Sequence, residues 1–296
     1  MNSSVHCPVP EPDTSHATPA AAIFFRRFFE AKSQVGGGGH EAWMELFDPE
    51  RARFRDAVLG FGMGNPGMSG AEQDFASSFG PNSRADLLRV LGDEHSAVVF
   101  SYDTHDMFGA EIWAASAIDV SGGRVLRNVD YWDGRLHPVS AMRAPESHFD
   151  TQLAEDAVVD SSDSTITRVA RGLGDALAAG DAATAADLLS PVAIWEDQTL
   201  RTRVEGRRAI ERYLQRSIAS LPYGAGSSVR HVLGFSRGGG YEWRAGSSSV
   251  PQGITGLELN ADGLVTRLTA LWDGARMETP SLQRLALLAL ESEPIS

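Results

Sequence analysis

The tripeptide Trp-Asp-Gly occurs at 132–134 and again 140 positions later at 272–274. At that same offset Gly123 aligns with Gly263, Val125 with Val265 and Arg127 with Arg267, without a gap. Further upstream, Pro49 registers with Pro191, Asp56 with Asp197, and Val90-Leu91-Gly92 with Val232-Leu233-Gly234, each within two residues of it. Agreement this close over a whole unit marks a duplication, so the chain has to fold as two copies of one unit. Its 296 residues give each copy the length of an ordinary domain.

The order of elements within the unit follows from periodicity. Residues 1–18, proline-rich and without an apolar pattern, read as a disordered tail. Ile23, Phe24, Phe28 and Ala31 recur at helical spacing, with Arg26, Arg27 and Glu30 on the other side. Gly36 to Gly39 break that helix, and a second helical run from His40 to Phe47 ends before Pro49. Arg53–Leu59 reads as a strand, followed by a Gly/Met-rich loop and a helix over 70–79. Strand-like runs follow at 87–91, 97–104, 111–120 and 125–132, the last two joined through the hairpin turn Ser121-Gly122-Gly123. The second half repeats this order and adds an apolar-faced helix over 280–291. The expected layout is a tail over 1–18, a first domain over 19–137, a linker over 138–163 and a second domain over 164–296.

Composition narrows the partners. A net charge of -13 disfavours nucleic acid and anionic membranes, both of which require a surplus of Lys and Arg. The single cysteine, Cys7, precludes an internal disulfide, and no stretch has the length of a membrane span or the form of a signal peptide. The cytoplasm is the expected location. Gly36–Gly39 lacks the Lys and the spacing of a phosphate loop, and the eight His residues are scattered without metal-ligand spacing. Neither a metal nor a cofactor is expected.

Two segments carry a resemblance: the strand after the second helix (Phe54-Arg55-Asp56; Trp195-Glu196-Asp197) and the terminal strand Asn128-Val129-Asp130-Tyr131-Trp132-Asp133-Gly134. Each unit resembles the cystatin-like α+β cone of nuclear transport factor two, ketosteroid isomerase, SnoaL-type polyketide cyclases and limonene-epoxide hydrolase. The resemblance covers roughly 20–136 and 164–278. It implies an α+β fold of two tandem cone-shaped units, each a curved, mostly antiparallel sheet wrapped on helices around an apolar pocket. It further implies an intramolecular pseudo-dimer, with further homo-oligomerisation left open.

Strand parity selects the pocket residues. Asn128, Asp130 and Trp132 share one face of the last strand. In SnoaL-type cyclases and limonene-epoxide hydrolase a catalytic Asp stands in this strand, which the resemblance carries to Asp130; the second unit has Ala270 there. Val99, Ser101, Asp103 and His105 share a face of the strand over 97–104, so Asp103 and His105 are candidate partners in acid–base work. Asp56 is a further candidate carboxylate, and Arg55 a candidate cation. Tyr102, Trp113, Asn128 and Trp132 are expected to line the first pocket, and Trp195, Asp197, Tyr241 and Trp243 the second. The expected function is cofactor-independent acid–base catalysis in secondary metabolism on a bulky, mostly apolar, polyketide-like molecule: cyclisation, isomerisation or epoxide opening. The alternative is a non-catalytic ligand-binding or accessory scaffold.

Overall fold

The computed structural model describes residues 11–35, 39–64, 79–80, 82–137, 143, 162–246 and 248–290. The helix expected over 70–79 and nearly all of the linker lie outside these residues.

The first unit begins with strand β1 (Asp13–Ala17) and helix α1 (Pro19–Ser33). Thr18 caps α1 by accepting from the Ala21 amide, and Pro19 occupies the first turn, where its missing N–H costs nothing. Then come α2 (His40–Met44), β2 (Arg53–Asp56), β3 (Phe61–Gly64), β4 (Ala85–Gly92) and β5 (Ser96–Asp103). Helix α3 (His105–Phe108), β6 (Ile112–Ser121) and β7 (Arg124–Trp132) complete it. The strands form one sheet in the order β1-β4-β5-β6-β7-β2-β3.

The second unit repeats the plan. Helices α4 (Ser164–Ala178) and α5 (Ala182–Asp187) precede β8 (Leu189–Asp197), β9 (Thr202–Glu205) and α6 (Arg207–Ser217). Strands β10 (Ser228–Phe235), β11 (Gly238–Arg244), β12 (Gln252–Leu259) and β13 (Val265–Trp272) and helix α7 (Thr279–Leu288) follow. Their order, β10-β11-β12-β13-β8-β9, is that of the first sheet without β1. Both sheets run antiparallel except where β7 meets β2, β13 meets β8 and β1 meets β4. Matching register shifts in β4/β5 and β10/β11, and in β6/β7 and β12/β13, bend each sheet around its helices. This is the α+β cone that the sequence resembles, twice over.

The disordered tail expected over 1–18 needs correction in its described part, from residue 11 on. Asp13–Ala17 is a strand, parallel to β4, and His16 Nδ1 lies 2.8 Å from the Arg237 carbonyl oxygen of the second unit. An edge strand is held by backbone pairing, so the absence of apolar periodicity gave no sign of it. The Gly/Met-rich loop likewise contains β3, paired with β2.

The apolar faces of the two sheets sort into separate layers. The inner face of the first sheet packs on α1 through Phe25, Phe28, Phe29, Leu87, Val99 and Ile118. The outer faces meet each other: Leu91, Val98, Phe100, Val129 and Tyr131 share one buried cluster with Leu233, Ile254 and Leu271. Charges are embedded in this contact. Arg127 and the Tyr131 hydroxyl donate to Glu242 at 2.9 and 2.5 Å, while Arg89 donates to Glu258 at 2.6 Å. His231 lies 2.9 Å from Asp119, the same relation that Arg89 has to Glu258 with the units exchanged. Buried ion pairs roughly break even against apolar packing, so this network orients the sheets more than it stabilises them. Burial and Arg127 have opposite effects on Glu242, and the charges of Arg127 and Arg230 prevail, holding it down to about 2.

At one corner the two Trp-Asp-Gly ends touch. The Gly134 amide donates to Asp273 Oδ1 at 3.2 Å, and the space beside Gly274 is taken by Asp133 and Arg135 of the other copy. Among the described residues, no helix is long and apolar enough to cross a membrane.

Candidate active site

Side chains of alternating residues in β5, β6, β7 and β2 enter the inner face of the first sheet, where four charged groups converge. One row runs straight across it: Val99, Ser116, Asp130 and Asp56 are successive pairing partners. The next row carries Ser101, Ala114 and Trp132, and Asp103 lies one step further along β5. Parity and register together bring Asp56, Asp103, Asn128, Asp130 and Trp132 to one face; the sequence alone groups Asn128, Asp130 and Trp132.

Each carboxylate is held differently. Asp56 Oδ1 accepts from the amides of Val58 and Leu59 at 2.9 and 2.7 Å, and its Oδ2 from Trp132 Nε1 at 3.0 Å. Burial outweighs those donors and pushes Asp56 up to about 7. Asp130 is half-buried; Ser116 Oγ and Asn128 Nδ2 both donate to its Oδ1, at 2.5 and 2.7 Å. Among the described residues nothing donates to Oδ2.

Asp103 takes both of its oxygens to Lys32 Nζ, at 3.1 and 3.0 Å. Burial raises Asp103 against the lowering effect of this ammonium. Burial also acts to lower the Lys32 pKa, but the charges of Asp103 and Asp130 outweigh it and leave it raised, so Lys32 is a fixed cation. Beside them the Ser101 hydroxyl is buried and has no hydrogen-bond partner among the described residues.

Lys32 is the residue that sequence reasoning missed. It stands seven residues after Phe25 and four after Phe28, on the buried face of α1. Assigning the apolar face to Ile23 and Phe24 hid it; Ile23 is 71% exposed. With Phe24-Phe25 and Phe28-Phe29 both in the helix, two phases look equally apolar, and only the sheet chooses between them.

Four expected pocket residues belong elsewhere. His105 does not continue the face of Asp103, because β5 ends there and His105 opens α3; its side chain is 72% exposed. Arg55 alternates with Asp56, points to the other face and covers Gly62. Tyr102 and Trp113 lie on the outer face as a ring pair 5.0 Å apart. Burial and the hydrogen bond to Glu111 push Tyr102 up to about 12.

The second unit keeps the frame and fills the interior. Asp197 Oδ2 accepts from Trp272 Nε1 at 3.0 Å, as Asp56 does from Trp132, and also from the Tyr223 hydroxyl at 3.0 Å. Burial pushes Asp197 up to about 6. The row equivalent to Val99-Ser116-Asp130-Asp56 is Tyr241-Thr255-Ala270-Asp197. Ser101 is replaced by Trp243, whose ring covers Gly253, and Asp103 by Ala245. Helices α1 and α4 are both 15 residues long, and end-to-end alignment sets Leu177 at the place of Lys32. Trp195, Tyr241 and Trp243, expected to line a pocket, are each 1% exposed and form the core of this unit. Large rings have taken up the space that the first unit leaves to polar groups. Among the described residues no cluster of three or more His, Cys, Asp or Glu is arranged to hold a metal ion.

No family model matches the chain, and no curated protein matches it. Among solved structures, it is similar to a steroid delta-isomerase from Pseudomonas aeruginosa, 15% identical over 44% of this chain and 93% of that one, with a TM-score of 0.34. A SnoaL-like protein of unknown function from Burkholderia thailandensis is 13% identical over 37% of this chain and 96% of its own, at 0.33. A protein with a cystatin-like fold from Silicibacter pomeroyi is 15% identical over 43% and 82%, at 0.31.

Proposed function

We propose that the first unit is a cofactor-independent acid–base enzyme and that the second is its catalytically silent partner in an internal dimer. The tandem units span 19–137 and 164–296, and the protein works in the cytoplasm on a bulky, mostly apolar small molecule with polyketide-like carbonyl groups. The observation that carries this reading is the asymmetry of one row: Asp130, bonded among the described residues through one oxygen only, against Ala270 in the otherwise matching frame.

Asp130 Oδ2 is the general base. Ser116 and Asn128 fix the carboxylate through its other oxygen, so the free oxygen is aimed without reorganisation. It removes a proton from the carbon next to a carbonyl, and the electron pair moves to the carbonyl oxygen. The Lys32 ammonium, anchored by Asp103, and the unpartnered Ser101 hydroxyl receive that negative charge. Return of the proton at another carbon completes an isomerisation; attack of the carbon on a second carbonyl closes a ring. An epoxide is opened by the same pair of groups: Asp130 takes the proton of a water or substrate hydroxyl as its oxygen attacks one epoxide carbon, the C–O bond breaks toward Lys32, and the alkoxide formed there is then protonated from Asp130 or solvent. Phe25, Phe28, Phe29, Val99 and Ile118 supply apolar walls. Asp56, fully occupied by three N–H donors and matched by Asp197, is a positioning residue that fixes Trp132.

The test is Asp130→Asn, which keeps the shape and the Ser116 contact. Assayed on a panel of β-polyketone and epoxide substrates, it is expected to lower kcat by about 10²–10⁴-fold with the melting temperature unchanged. Full turnover in the variant overturns the assignment. Binding of the same compounds without turnover by the unaltered protein favours a ligand-binding scaffold instead.

A further inference from the structure

A cleft of ≈ 640 Å³ opens where the two units meet, away from the inner face of the first sheet. The first unit lines it with Glu111, Ile112, Trp113 and Leu136, and the second with Arg201, Arg203, Arg267 and Glu196 among others. That volume suits a small molecule. Two large apolar side chains stand open in it: Trp113 is 51% exposed and Leu136 52%.

The charges on its walls are largely matched already. Glu196 holds Arg267 at 2.7 Å, Glu205 holds Arg203 at 2.8 Å, and Asp133 holds Arg135 at 2.6 Å. Glu111 sits at the Trp113 end beside Tyr102. Arg201 is exposed and makes no hydrogen bond or ion pair among the described residues.

The backbone at Arg201 gives an independent sign. Its φ is 55°, the one positive value at a non-glycine among the described residues. Arg201 directly precedes β9, and the same place before β3 in the first unit is Gly60, with φ 74°. A left-handed conformation suits glycine and is costly for a residue with a Cβ. The duplicated loop thus carries a strained arginine where its twin carries the unstrained residue, and the side chain that causes the strain faces the cleft.

We propose that this cleft is a second ligand site, for a flat aromatic carboxylate. The ring lies on Trp113 and Leu136, and the carboxylate pairs with the Arg201 guanidinium. Glu111 repels the anionic end from the Trp113 side and so sets the orientation.

Titration calorimetry with 2-naphthoate tests this directly, with the neutral isostere 2-naphthamide as control. The expected result is saturable binding at one site, weakened tenfold or more by Arg201→Gly and matched in that weakness by 2-naphthamide. Because glycine relieves the backbone, the same variant is expected to melt at the same or a higher temperature, so lost binding is not lost fold. Asp130→Asn is expected to leave naphthoate affinity unchanged, which separates this site from the catalytic one. Absence of saturable naphthoate binding, equal affinity in Arg201→Gly, or loss of binding in Asp130→Asn overturns the proposal.

Discussion

Lys32 and Asp103 form a buried ion pair, ammonium to carboxylate at 3.0 Å, joining α1 to the end of β5. Removing one partner of such a pair is far more damaging than removing both, because the survivor is left charged without water or countercharge. Lys32→Met is therefore expected to cost about 3–5 kcal/mol at pH 8, read from urea unfolding. Lys32→Met with Asp103→Leu is expected to recover most of that loss while remaining inactive. Equal instability of the single and double variants would show that the pair is not the source.

Asp56 and Asp197 make stability depend on pH in an unusual direction. Burial lifts them to about 7 and about 6, from an ordinary 3.8. Between those values the folded chain binds more protons than the unfolded one, so stability rises as pH falls from 7 toward 4, by up to about 1.4 kcal/mol per unit for each group. Glu242 and Asp48, both held down to about 2, act oppositely: their contribution is present above the ordinary carboxylate range and is lost as pH falls through 2. A stability maximum near pH 4–5 is expected in urea titrations across pH 3–8. In Asp197→Asn the part of the slope between pH 4 and 6 should shrink; an unchanged slope there refutes the assignment.

The corner between the units has no room for a methyl group. A Cβ on Gly134 would stand 2.7 Å from Asp273 Oδ1 and 3.1 Å from Val58 Cγ1. Gly134→Ala is expected to lose about 1–3 kcal/mol by overpacking. Gly246, with nothing within 4 Å of its Cβ position, serves as the comparison: Gly246→Ala should be neutral or slightly stabilising. Thermal unfolding of the two variants side by side decides the matter.

Glu242 is fully buried between Arg127 of the first unit and Arg230 of the second, at 2.8 and 3.3 Å. Glu242→Gln removes the buried charge that both guanidinium groups face and leaves Arg127 only the more distant Asp119, at 3.6 Å, and a loss of about 3–5 kcal/mol is expected. Arg267→Ala, at the partly open twin of Arg127, should cost no more than about 1 kcal/mol. Similar losses for both would mean that burial does not govern the network.

Most of the inner face was legible from alternation alone. Asn128, Asp130 and Trp132 share it because a strand has period two, and the 76- and 75-residue spacings of Asp56–Trp132 and Asp197–Trp272 prove to be two identical hydrogen bonds. What alternation does not give is where a strand stops, and so His105 was carried one step too far past Asp103. Nor does it say which face of a sheet looks inward: Tyr102 and Trp113 suit a pocket by residue type, yet lie on the outside. Lys32 required the phase of a helix with two Phe pairs, and the depth of Trp195, Tyr241 and Trp243 required knowing how much space the second unit leaves. Periodicity assigns faces; three-dimensional packing assigns volume.

Each Trp-Asp-Gly end is part of the other's surroundings, since Asp273 occupies the space beside Gly134, and Asp133 the space beside Gly274. A mutation in either half of the gene is therefore judged at this corner by the half it did not touch. The two copies inherit the corner jointly, and it ties their histories together. Asp130 and Ala270 belong to the interior of their own units, away from this corner, and there the two copies differ.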